Sequence, residues 1–226
     1  MKIIIAVLGI ACGVIIGYFL VVNNLAPSPT LEKKLANAVI NTLKRPINQV
    51  IGFLPYWFIN KEDTSVTKYL TTLTYFGLTI DTDGTILKFS KPNETEPGWH
   101  TLNSGKVNKF LDVAKSNNLT TSLLVFKANN DAIDTLISNP VTNAQNLVNE
   151  VIPLMKQYGF TDLNLDIEST REASPDAQAK FTQFAKTVKQ GLEKENAGTL
   201  TVDVSASDFI KNKLTNPSSL IDIADY

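Results

Sequence analysis

Gly159-Phe160-Thr161-Asp162-Leu163-Asn164-Leu165-Asp166-Ile167-Glu168 alternates apolar and polar residues along its second half. In an extended strand, successive side chains point to opposite faces. Leu163, Leu165 and Ile167 share one face, which suits packing against helices. Asp162, Asn164, Asp166 and Glu168 share the other. A strand in the middle of a parallel sheet is normally apolar on both faces. Burying a row of polar groups that includes carboxylates costs kcal/mol each unless they bond to one another. Crowded carboxylates also raise one another's pKa, which is how a carboxylic acid keeps its proton near neutral pH. The stretch therefore reads as a strand carrying acid–base chemistry on its polar face. The bland reading is a solvated edge strand with that face outward.

The surrounding chain supports a central position for this strand. Strand-like runs fall at 50–54, 72–80, 119–126, 160–167 and 200–206, with helical patterns near 104–117, 141–158 and 175–195. Val107, Phe110, Leu111 and Ala114 make one apolar helix face. Leu147, Val151, Leu154 and Met155 make a second, and Phe181, Phe184, Ala185, Val188 and Leu192 a third. Alternating strands and helices predict an α/β fold with a parallel sheet. Asp81-Thr82-Asp83-Gly84 reads as a tight turn inside a small hairpin. Strands start roughly every 35 residues, so eight units would need roughly 280 residues. Residues 50–226 hold about five strands and, at Ala224-Asp225-Tyr226, the start of a sixth. The expectation is either a smaller open α/β sheet or an incomplete (β/α)8 TIM barrel, and the half-begun strand favours a truncated barrel. In a barrel, Glu168 would stand at the C-terminal end of its strand, where active sites lie.

Composition narrows the function classes. Lys and Arg number 21 against 22 Asp and Glu, a formal net charge of −1. No basic excess exists to neutralise phosphates, which argues against nucleic acid as a partner. One Cys and one His leave no Cys/His cluster for a metal site, so no metal or cofactor is expected. Residues 3–22 are apolar or small and uncharged. At about 1.5 Å per residue such a run spans the roughly 30 Å of a bilayer core. With Lys2 ahead of it, the positive-inside rule puts the short N-terminus in the cytoplasm and the rest outside, on the cell membrane. A cleaved signal peptide is the rival, but its apolar core would be shorter, and an A-x-A-like site is lacking. The chain thus divides into a transmembrane signal anchor (1–26), a linker with an amphipathic helix (27–49) and a catalytic domain (50–226).

The strand resembles the D-x-x-D-x-D-x-E signature of glycoside hydrolase family 18, the chitinase-like enzymes. Glu168 aligns with the Glu, Asp166 with the third Asp, Asn164 with the second and Thr161 with the first. Thr161 departs from the pattern, and Asp162 stands where Gly is usual. Val50-Ile51-Gly52-Phe53-Leu54-Pro55-Tyr56-Trp57 is similar to the family's first strand, and Leu73-Thr74-Tyr75-Phe76 with Asp83-Gly84-Thr85 to its second strand and hairpin. Leu200–Ala206 is similar to the fifth strand and Ile223–Tyr226 to the entry of the sixth, whereas Thr121–Lys127 lacks the S-x-G-G of the third.

The resemblance implies substrate-assisted retaining hydrolysis of β-linked N-acetylhexosamine polymers, such as chitin or peptidoglycan-type glycans. It makes Glu168 the general acid and Asp166 the catalytic group that orients the substrate's acetamido. Asn164 would support Asp166 through a hydrogen bond. Tyr56 and Trp57 follow the first strand on the catalytic side, where aromatic faces either stack on sugars or pack the core. Asp203 shares the inward face of the fifth strand and either joins the carboxylate cluster or satisfies the barrel interior. These three are the candidate substrate-binding residues. Lys127 and Asn129 read as a solvated loop, and Trp99 and His100 as a Pro- and Gly-bearing surface loop. Two other functions compete: an inactive sugar-binding relative, motivated by Thr161 and the missing S-x-G-G, and an envelope structural protein.

Overall fold

The computed structural model describes residues 48–226. The expected anchor at 3–22 and nearly all of the linker lie outside the described residues. Among the described residues, no helix is long and apolar enough to cross a membrane.

Five parallel strands form one sheet: β1 (Ile51–Pro55), β2 (Thr72–Thr79), β5 (Thr120–Lys127), β6 (Asp162–Ile167) and β7 (Thr199–Val202), hydrogen-bonded in that order. Each strand of this sheet thus pairs with the sheet strand that follows it along the chain. An open doubly wound sheet reverses its strand order at a switch point, and none occurs here. Sequential winding is the pattern of a TIM barrel. The first residues after the fold's last helix follow it too. Asp225 N–H donates to the Leu200 carbonyl at 2.8 Å, and Val202 N–H donates to the Tyr226 carbonyl at 3.2 Å. Residues 224–226 thus lie along β7 in ladder fashion, although they are not yet a regular strand. A short separate hairpin, β3 (Phe89–Lys91) with β4 (Glu94–Thr95), decorates the segment after β2.

Helices α1 (Pro97–Asn103), α2 (Asn108–Ser116), α3 (Asn130–Ser138), α4 (Pro140–Tyr158), α5 (Pro175–Lys194) and α6 (Pro217–Leu220) fill the connections. Their starts are written locally. Asn129 accepts the Ala132 N–H to cap α3, and Ser174 accepts the Ala177 N–H to cap α5. Proline occupies the first turn of α1, α4, α5 and α6, where its missing N–H has no partner to lose. Gly159 closes α4 at φ 73°, a left-handed conformation that favours glycine. The three apolar helix faces expected from the sequence are buried. Leu163, Leu165 and Ile167 are at most 2% exposed, each worth roughly 1.5–3 kcal/mol.

Four local expectations change. The helix expected near 104–117 begins later, as α2 from Asn108, because Gly105 (φ 73°) turns the chain between it and α1. Trp99 and His100 belong to α1 rather than a loop, since Glu96 caps that helix through the Trp99 N–H at 2.7 Å. Backbone packing also fixes α1: a Cβ on Gly98 would lie 1.6 Å from the Gly77 carbonyl oxygen. Asn129 is a helix cap, with the whole of α3 behind it. The strand expected to run to Ala206 stops at Val202, where a 3-10 turn over Ala206–Phe209 begins to form. Ser205 and Asp208 make a reciprocal capping box there, which offers the backbone an alternative to the ladder. The Asp81–Gly84 turn is present, flanked by a bridge between Ile80 and Ile86.

Candidate active site

The polar face of β6 ascends through four levels of burial. At the bottom, Asp162 is 2% exposed. Its carboxylate accepts hydroxyls from both neighbouring strands: Ser122 at 2.6 Å on β5, and Thr199 at 2.6 Å and Thr201 at 3.1 Å on β7. Register explains the set, because Asp162 stands beside Ser122 on one side and Thr199 on the other. Burial still pushes its pKa up, against the pull of those hydroxyls. Thr161, at the signature's first Asp position, is exposed and uses its hydroxyl on the Thr121 backbone N–H at 3.2 Å. The polar floor of the strand is therefore built by Asp162 and not by residue 161.

One level up, Asn164 is 2% exposed. Its Nδ2 donates to Asp203 Oδ1 at 3.1 Å. The hydrogen bond expected from Asn164 to Asp166 is replaced by this cross-strand tie, because Asp203 continues the β7 ladder: its N–H donates to the Leu165 carbonyl at 3.0 Å. Asp166 follows, half-buried, with its pKa raised to about 7 by burial first, then by the charges of Asp203 and Glu168. Asp203 is also shifted up by burial, opposed by the Asn164 donor and reinforced by Glu168. Glu168 is exposed, one residue past the strand, with its N–H on the Lys127 carbonyl at 2.8 Å.

These groups open into a cleft of about 640 Å³ at the C-terminal end of the sheet. Phe53, Asp166, Glu168, Asp203, Ser205 and Lys213 contribute to its lining. Its outer wall is stiff. Lys213 Nζ donates to the carbonyls of Thr170 at 2.6 Å and Arg171 at 3.3 Å, joining the segment after β6 to the segment after β7. Asp208 accepts the Ser205 N–H at 3.0 Å and the Thr215 hydroxyl, which holds the second of those segments closed on itself.

Tyr56 and Trp57 are not part of that lining. Tyr56 is half-buried against the core. Trp57 is 49% exposed and begins an aromatic row across the strand ends. Its ring lies 5.6 Å from that of Phe76, which lies 5.5 Å from that of Phe126. Phe126 is the register neighbour of Asp166. The row thus leads from Trp57 toward the carboxylates through two side chains that sequence reasoning did not single out. Their signal was parity: Phe76 and Phe126 sit an even number of residues from the inward-facing Thr74 and Ser122. Lys127 ends β5 with its Nζ on the Ile80 carbonyl at 2.7 Å, away from the solvated loop expected for it. Among the described residues, no group of three or more His, Cys, Asp or Glu side chains could hold a metal ion.

A parallel, sequentially wound sheet with carboxylates at the C-terminal end of one strand is the architecture of a barrel-type enzyme. The chain belongs to glycosyl hydrolases family 18, whose model matches residues 49–225. Solved structures share the fold. A Group IV chitinase from Ostrinia furnacalis aligns at TM-score 0.64 and 18% identity, covering 80% of this chain and 50% of the chitinase. A Cycas revoluta chitinase in complex with (GlcNAc)3 aligns at TM-score 0.58 and 17% identity, covering 78% and 53%. The Bacillus cereus spore cortex-lytic enzyme SleL aligns at TM-score 0.57 and 16% identity, covering 79% and 39%. The chain therefore spans about half or less of the length of these relatives. A comparison with curated proteins gave no match.

Proposed function

We propose that the protein is a glycoside hydrolase acting on β-linked N-acetylhexosamine polymers, chitin or peptidoglycan-type glycans, with Glu168 as general acid. The observation that carries this reading is the ascent of β6 from a satisfied, buried Asp162 to an exposed Glu168 beside an Asp166 that holds its proton near neutrality. A structural polar strand needs no carboxyl at its exposed end. The complex of the Cycas enzyme with an N-acetylglucosamine oligomer supports the substrate class.

The chemistry follows from the positions. Glu168 stands at the cleft mouth, where it donates its proton to the glycosidic oxygen as the C1–O bond breaks. The substrate's own acetamido oxygen attacks C1 and forms a cyclic oxazolinium, so the protein supplies no nucleophile. Asp166 accepts the acetamido N–H through a carboxyl oxygen, which turns the acetamido oxygen toward C1. Water then opens the ring at C1 and yields its proton to the Glu168 carboxylate, which restores the acid. The exposed ring of Trp57 and the row behind it offer C–H stacking surface across the neighbouring strand ends. The uncharged run at 3–22 supports placing this domain on the outer side of a cell membrane, attached by that segment.

A second reading, a sugar-binding relative without catalysis, is favoured by one observation. Thr161 leaves the first acidic position of the signature empty of charge. Glu168→Gln separates the two. The enzyme reading expects wild-type hydrolysis of a chromogenic chitobioside, lowered at least about 100-fold in the variant, with oligosaccharide binding kept. Equal binding by both proteins with no hydrolysis by either would establish the second reading instead.

A further inference from the structure

Asn164 holds an asymmetry that its role in the strand does not require. Its side chain is almost wholly buried, its Nδ2 is spent on Asp203, and its Oδ1 has no donor among the described residues. Leaving a buried acceptor without a donor costs about 1–3 kcal/mol. Turning the amide over would set its oxygen against the Asp203 carboxylate, two acceptors face to face. The observed orientation gives Asp203 a donor, which favours its ionised form. A charge-assisted bond to a carboxylate, worth about 1.5–3 kcal/mol, outweighs the unmet oxygen.

The backbone holds Asp203 in place from both sides. Its N–H is the last rung of the ladder with β6, on the Leu165 carbonyl. Immediately beyond, the Ser205–Asp208 capping box fixes the departing chain. Asp203 and Asp166 both line the same cleft. The other charged groups around it are committed or further out. Lys213 is tied to two carbonyls, Lys127 to a third, and Asp208 to Thr215 and Ser205, while Glu168 lies just past the end of β6, exposed at the mouth. Among the described residues, neither Asp166 nor Asp203 has an ion-pair partner.

We propose that Asp203 is a positioning residue: anchored by Asn164 and the β7 ladder, its fixed negative charge keeps the neighbouring Asp166 carboxyl in its protonated form. The inference rests on the reading of Asp166 as part of the site, and it deepens that reading by assigning the partner carboxylate to β7 rather than to β6. Two like carboxylates in one cleft cannot both ionise freely. Asn164 decides which one does, because it gives a donor to Asp203 and none to Asp166. Burial pushes both carboxyls up, but the Asn164 donor pulls Asp203 back toward its ionised form and gives Asp166 no such help.

The test is a carbon-13 NMR titration of the aspartate carboxyls in the full chain, wild type against Asp203→Asn. An amide at 203 still accepts from Asn164, so the cross-strand bond is retained while the charge is lost. The expected result is an Asp166 midpoint lower by about one pH unit or more. Tryptophan fluorescence checks that the variant is folded, and Asp203→Ser, titrated the same way, replaces it if it is not. An unchanged Asp166 midpoint in the folded variant overturns the proposal. The titration needs no turnover. An absence of hydrolysis with a shifted midpoint would sink the glycosidase reading alone, and an unshifted midpoint with intact hydrolysis would sink this one alone.

Discussion

Replacing Asp166 by Asn should stabilise the folded domain, by an amount that grows as the pH rises from about 4 and is complete above about 7. Asp166 titrates near 7 in the fold against the usual 3.8. A carboxyl with a raised folded pKa binds its proton more tightly in the native state than in the unfolded chain. Its favourable contribution is complete below about 3.8 and is lost as the pH rises through about 7. Above that window the native state carries a half-buried charge beside Asp203 and Glu168. Felt in full, the difference between the two values corresponds to ~4 kcal/mol. Asp166 is partly open to solvent, so screening leaves about half, ~2 kcal/mol. Asparagine keeps the shape and never ionises. The variant should therefore exceed wild type by ~2 kcal/mol near pH 8 and match it near pH 4.

Urea unfolding followed by tryptophan fluorescence reads this directly, because the two tryptophans, Trp57 and Trp99, both lie in the described domain. At a slope of about 1–3 kcal/mol per molar urea, the shift in midpoint at pH 8 is on the order of 1 M. Asp112→Asn, on an exposed helical position, is the control and should move neither midpoint. Equal midpoints at pH 8, or an equal gain at both pH values, would refute the argument that Asp166 is held under electrostatic load. The same substitution removes the group that receives the acetamido, so a more stable protein with lost hydrolysis is the expected pair of results, the usual trade at a site built for function.

Two further substitutions test the floor and the rim. Asp162→Ala orphans Ser122, Thr199 and Thr201 hydroxyls at the centre of three strands and should destabilise the domain by ~3 kcal/mol at neutral pH; a loss below about 1 kcal/mol in urea unfolding would mean that those hydroxyls find other partners. Trp57→Ala removes a half-exposed ring at the head of the aromatic row and should weaken calorimetric binding of an N-acetylglucosamine tetramer about 10-fold while leaving the unfolding midpoint nearly unchanged, whereas unchanged affinity would remove Trp57 from the sugar path.

What was legible in the sequence was whatever depends on period alone. The two-residue alternation of β6 put Asp162, Asn164, Asp166 and Glu168 on one face, and the sheet repeats that arrangement. The 3.6-residue stripes of α2, α4 and α5 reappear as buried faces. Pairing was not legible, because period says which face a side chain takes and not which neighbour stands beside it. Asn164 was expected to reach along its own strand to Asp166, yet the register of β7 brings Asp203 within hydrogen-bond range instead. Short elements were hidden for a different reason. The nine residues of α3 and the seven of α1 offer two turns or so of periodicity, and only their caps, Asn129 and Glu96 with Pro97, announce them. The end of β7 was misread because Asp203-Val204-Ser205-Ala206 continues to alternate while its Ser and Asp side chains satisfy the backbone in a turn.

The site's chemistry is a consequence of burial graded along a single strand. Four polar side chains of similar type enter β6 at alternate positions, and the fold gives each a different environment. Asp162 has donors on both sides and becomes structural. Asn164, fully buried, carries no charge to desolvate and can hold a carboxylate from the next strand. Asp166 has burial and negative neighbours but no tied cation, so it keeps a proton to near neutrality. Glu168 reaches solvent, where a proton can be exchanged with substrate and water. Each role depends on height above the barrel floor, about 6.6–6.8 Å for every second residue. Shifting the sequence by two positions would put Asp166 at the level where Asn164 sits, fully buried beside Asp203, and Glu168 at the half-buried level. An ionisable acid would then replace the only uncharged group in the row, at a level as buried as Asp162 but without its three hydroxyl donors. The placement of Asn at 164, between two aspartates and facing a third, is thus what lets one strand carry so much acid and still fold.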